Sequence, residues 1–114
     1  MKQLITLFLF TLISLSSCQN LEIEDGTPEC IEDLIKDFDK NQSCEVGVSV
    51  KRYTFQEEFV FVFDPGFCGA DMQSEVVDSD CNSIGFLGGF AGNISINGEA
   101  FFSNALFEST VWEG

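Results

Sequence analysis

The chain has 114 residues, with 19 acidic against 5 basic, no histidine, 13 phenylalanines and 5 cysteines, for a formal net charge of −14. That length accommodates one small domain, and the acidity excludes nucleic acid as a partner. The missing histidine removes Ser-His-Asp and Cys-His catalysis.

Residues 1–17 read as an export signal. Lys2 supplies a positive charge, and the apolar run from Leu4 to Ile13 is shorter than the roughly 20 residues a helix needs to cross a bilayer. Leu15-Ser16-Ser17-Cys18 then resembles the bacterial lipobox, in which a leucine three places before a cysteine and small residues between them precede attachment of diacylglycerol. Cys18 is therefore expected to become the acylated first residue of a lipoprotein, with the membrane as its partner through the anchor. The competing reading, an ordinary secretory signal cleaved near Ser17, accounts for less of the pattern. Acyl chains hold firmly, because each buried methylene contributes about 0.8 kcal/mol.

Residues 18–27 are polar and acidic without periodicity and read as a tether. Acidic residues soon after Cys18 resemble signals that route some lipoproteins outward, so the expected location is the bacterial envelope, at the outer membrane on its periplasmic or surface face. Loss of Lys2 with the signal leaves 19 acidic against 4 basic residues, a net −15. Such a surface suits solubility, divalent cations or a basic partner.

Residues 28–114 are expected to form one α+β domain. Thr27 can cap a helix, Pro28 suits its first turn, and Ile31, Leu34, Ile35 and Phe38 fall on one face at i, i+3, i+4, i+7 spacing. The helix should stop near Asn41. Val46, Val48 and Val50 lead into Tyr53 and Phe55, and Phe59 to Phe63 follow Gln56-Glu57-Glu58, a pattern that predicts a hairpin. Its second strand is apolar on both faces and needs cover on both sides. Glycines at 69, 85, 88, 89 and 92 predict a long irregular segment over residues 67–92. Asn97-Gly98 marks a type I′ hairpin, and a last strand is expected from Leu106 to Trp112. The expected architecture is one N-terminal helix packed on a small antiparallel sheet, stapled by disulfides.

With Cys18 assigned to lipid, Cys30, Cys44, Cys68 and Cys81 remain, an even set that in an oxidising compartment reads as two disulfides. Three connectivities are open. The expected one joins Cys68 to Cys81 and Cys30 to Cys44, each closing about a dozen residues, while the competing pairings tie Cys68 or Cys81 to Cys30. Zinc is disfavoured, since no two of these cysteines lie closer than thirteen positions and histidine is lacking.

Two groups of residues are candidate sites. Asp78, Asp80 and Asn82 alternate as in the first half of a calcium-binding EF-hand loop, but Ser83 and Gly89 stand where that loop needs glycine and glutamate. A turn held by Asx hydrogen bonds explains them more simply. Phe86, Leu87 and Phe90 are a candidate contact surface, with a plug beneath the sheet as the alternative. No other cofactor is expected. A carboxylate pair for glycoside hydrolysis would need a cleft that so small a domain has little room for, so the chain is not expected to be an enzyme.

Cys30-Ile31-Glu32-Asp33-Leu34-Ile35-Lys36-Asp37-Phe38, Tyr53 ahead of Phe59 to Phe63, Asp78-Ser79-Asp80-Cys81-Asn82, Gly88-Gly89-Phe90-Ala91-Gly92 and Val111-Trp112 together resemble a family of small bacterial lipoproteins whose shared domain has no assigned function. The similarity spans about residues 28–112. The chain departs from the family pattern at Phe67-Cys68-Gly69, where a paired Cys-Cys-Asp is usual, and in carrying Cys44. The expected role is a non-catalytic interaction module with an envelope protein partner, the alternative being a calcium- or glycan-binding surface module.

Overall fold

The computed structural model describes residues 21–41, 44–69 and 72–114; the expected signal 1–17 and Cys18 lie outside the described residues. Helix α1 (Glu29–Asn41) turns Ile31 and Ile35 into the core, both fully buried, with Leu34 and Phe38 packed beside them. That is the face its periodicity predicted. Thr27 does not cap it: the hydroxyl donates back to the Glu24 carbonyl at 2.6 Å, closing a turn at Asp25-Gly26, and the Pro28 carbonyl accepts the first helical N–H bonds.

Five antiparallel strands form the sheet, β1 (Val48–Phe55), β2 (Glu58–Pro65), β3 (Gln73–Asp78), β4 (Ser83–Gly88) and β7 (Leu106–Glu113), in the order β4-β3-β2-β1-β7. The expected hairpin is β1–β2, closed by Gln56 and Glu57, both at positive φ (54° and 69°) as a two-residue type I′ turn demands. β2 lies at the centre and uses both of its apolar faces. Phe61 and Phe63 point to α1, and Val60 and Val62 point the other way. That second face is covered by a small hairpin, β5 (Ser95–Ile96) and β6 (Glu99–Ala100), and by a short helix α2 (Phe101–Asn104), which bury Ile96 and Phe101 against Val60, Val62, Val76 and Leu87. Asn97 and Gly98 have φ of 51° and 80°, the I′ turn their identity announced. Side chains tie the two I′ turns together, since Gln56 donates to Glu99 at 2.7 Å.

The fold is thus the expected α+β arrangement, but residues 67–92 hold more regular structure than their glycines suggested. β3 and β4 lie within them, with Gly85 (φ 148°) beside the register shift between Val76 and Val77. Residues 21–27, read from sequence as tether, lie against the domain: Leu21 and Ile23 pack on the core, and the Glu24 N–H bonds the Val111 carbonyl at 2.9 Å on the outer edge of β7.

The disulfides differ from the favoured pairing. Cys30 bonds Cys81 and Cys44 bonds Cys68, with Cα separations of 6.2 and 5.6 Å. Neither expected pair can close. Cys30 and Cys44 stand at opposite ends of α1, whose 13 residues span about 20 Å. Cys68 and Cys81 stand at opposite ends of β3, again about 20 Å apart. A disulfide needs Cα atoms within about 7 Å. The native bonds instead pin each end of α1 to the matching end of the sheet. Gly66 belongs to the second staple: at φ 96° it turns the chain where a Cβ would collide with the Val46 carbonyl and sit 2.9 Å from the Cys44 sulfur.

Candidate binding surface

A single α-helix is about 10–12 Å across, whereas five strands spaced by about 4.8 Å span nearly 20 Å between outer strand axes. α1 lies over Val48, Val50, Phe61, Phe63 and Trp112, and Phe38 meets the Phe63 and Trp112 rings edge-on at 5.3 and 6.1 Å. On the β3–β4 flank of that face Val77 is buried with the helix, but Gln73, Glu75 and Phe86, nearer the end of α1, are left open. The result is a groove of about 420 Å³ between α1 and the β4 edge. From the sheet, half-exposed Phe86 walls the groove over a floor of nearly buried Phe63 and Val77, with Gln73 and Glu75 beside them. Leu34, Asp37, Phe38 and Asn41 contribute from the helix. The groove is therefore aromatic and apolar with one carboxylate on each side, and it can take an apolar stem carrying a positive charge.

The three residues expected to form a contact surface are not one surface. Phe86 is half-exposed and lines the groove, while Leu87, its neighbour along β4, points to the opposite face and is buried against Ile96 and Phe101. Alternation along a strand makes that separation unavoidable. Phe90 is 90% exposed at the tip of the turn from Gly89 to Gly92, away from both.

Asp78, Asp80 and Asn82 form the β3–β4 turn. One carboxylate oxygen of Asp78 accepts the backbone N–H groups of Asp80 (3.0 Å) and Asn82 (2.9 Å), the Asx geometry that the sequence offered as the simpler reading. Among the described residues no group of three or more potential ligands converges as a metal site would require.

On the other face an aromatic cluster surrounds Tyr53, with Phe101, Phe107 and Phe102 centred 5.3, 5.6 and 5.9 Å from its ring. Burial, and secondarily the negative charge of Asp64, raise the Tyr53 phenol above its ordinary pKa of 10.0. Phe102 and Phe107 are exposed at 62% and 55%.

Residues 36–114 match the family model described as a domain of unknown function, DUF6970. The chain belongs to that family. The DUF6970 match begins within α1 and takes in every strand and both cysteines of the Cys44–Cys68 bond, so the open β3–β4 flank lies inside the family domain. Of the groove, only Leu34 precedes the match. No curated protein and no solved structure matches the chain.

Proposed function

We propose that this DUF6970 protein is a lipid-anchored, non-catalytic binding module of the bacterial envelope, whose groove between α1 and β4 receives a basic, long-stemmed side chain from an envelope protein. The observation that carries the reading is the pairing of an apolar, aromatic lining (Phe38, Phe63, Phe86) with Asp37 on one side and Glu75 on the other. Lys and Arg have the matching form, an apolar stem ending in a cation that aromatic faces and carboxylates both attract. The net −15 of the mature chain favours encounter with such a partner and makes association salt-sensitive. Two disulfides hold the groove's walls, so little order remains to be acquired on binding. The lipobox ending at Cys18 supports the envelope assignment.

The test is affinity capture from the protein's own envelope with the wild type and a Glu75→Lys variant. One stoichiometric protein recovered by the wild type, released by salt and lost with Glu75→Lys, is the expected result. Equal recovery by both chains would remove the groove from the account, and recovery of glycan in place of protein would favour a sugar-binding module.

A further inference from the structure

We propose that one rim of the sheet rests in the headgroup region of the anchoring bilayer, with Phe67 and Phe90 entering the interface. This rests on the lipid-anchored reading of Cys18.

The rim is defined by strand register. Val48 pairs with Pro65, Phe63 with Glu75, Gln73 with Gly88 and Ser49 with Glu113, so the start of β1, the ends of β2, β4 and β7, and the start of β3 lie at one end of the sheet. The described chain enters the domain at this end. Glu22 lies beside Trp112 and Glu113, and Cys18 is only three residues before Leu21, a reach of at most about 11 Å. A domain held so closely must turn this rim towards the membrane.

Exposed apolar side chains protrude there from the turns. Phe67 is 74% exposed just beyond β2, Val46, whose carbonyl accepts the Phe67 N–H, is 59% exposed, and Phe90 is 90% exposed just beyond β4. Rings at loop tips have no core to join, and the interface accepts aromatic rings readily. Charge does not separate the two ends: Glu29, Glu57, Glu58, Asp78, Asp80 and Glu99 stand at the far end, and Glu22, Glu45, Asp64 and Glu113, with Asp37 and Asp39 near the end of α1, stand at the rim. The acidic rim therefore suits zwitterionic lipid and disfavours anionic lipid.

The experiment places the full-length lipidated protein in phosphatidylcholine vesicles, with and without brominated acyl chains, as Phe90→Trp and Phe107→Trp variants. Phe107 is an exposed control, since it pairs with Tyr53 towards the far end of β7, and buried Trp112 is a background common to both. The expected result is a blue shift and bromolipid quenching in Phe90→Trp beyond that of Phe107→Trp. Co-sedimentation of the same samples separates the two claims. A protein that does not sediment with the vesicles lacks the anchor, and the orientation falls with it. One that sediments while Phe90→Trp is quenched no more than Phe107→Trp is anchored but not oriented this way, which overturns the proposal alone.

Discussion

Removing one staple at a time gives a quantitative test of the fold. The bonds close sequence separations of 51 and 24 residues, and the second lies inside the first. Taken alone, loop closure assigns about 4 kcal/mol to Cys30–Cys81 and about 3.5 kcal/mol to Cys44–Cys68. Nesting changes the ranking. With the inner bond closed, the outer loop is shortened by the bridge to roughly 28 residues, and the pair together contributes about 7 kcal/mol. Deleting Cys30–Cys81 therefore costs about 3.5 kcal/mol, and deleting Cys44–Cys68 about 3 kcal/mol, nearly equal despite a twofold difference in separation. The assay is urea unfolding of Cys30→Ser/Cys81→Ser and Cys44→Ala/Cys68→Ser under non-reducing conditions, alanine being chosen at Cys44 because that side chain is buried. For a domain of this size each loss lowers the Tm by roughly 12–25 °C. A loss below about 1 kcal/mol for either double variant would refute the nested-loop argument, and a peptide linking Cys68 to Cys81 would refute the topology beneath it.

Asp78→Ala removes the acceptor for two turn N–H groups and is expected to cost about 1–2 kcal/mol; a chemical-denaturation midpoint unchanged by the substitution would contradict the Asx role. The phenol of Tyr53, raised above 10.0 in the folded chain, contributes stability that is fully present below the unfolded pKa and is lost as pH rises through the folded one. Tyr53→Phe should therefore weaken the alkaline fall in stability above about pH 10, read from urea melts, and an equally steep fall in the variant would argue against it.

The legible parts of this fold are those whose signals are local. The i, i+3, i+4, i+7 face from Ile31 to Phe38, the doubly apolar run Phe59 to Phe63 and the Asn97-Gly98 turn each carry their structure within a few residues. β3 and β4 were hidden because Gln73-Ser74-Glu75 and Ser83-Ile84-Gly85 lack strand periodicity, and only pairing with β2 makes strands of them. That loss hid the groove as well, since an uncovered flank follows only once five strands are counted under one helix. Phe86 was found without its partners Phe63, Glu75 and Asp37. The staples were more accessible than the favoured pairing suggests. A helix ending near Asn41 sets Cys30 about 16 Å from that end, so a Cys30–Cys44 bond would need the three following residues to run straight back along the helix, which element length already disfavours.

The central functional claim is that this domain is held to a membrane through Cys18, and detergent phase partitioning of the wild type and Cys18→Ser from the native envelope tests it most directly. The wild type should enter the detergent phase with acyl mass on its amino-terminal cysteine, and Cys18→Ser should stay in the aqueous phase. A Cys18→Ser chain that partitions into detergent as the wild type does would contradict the account.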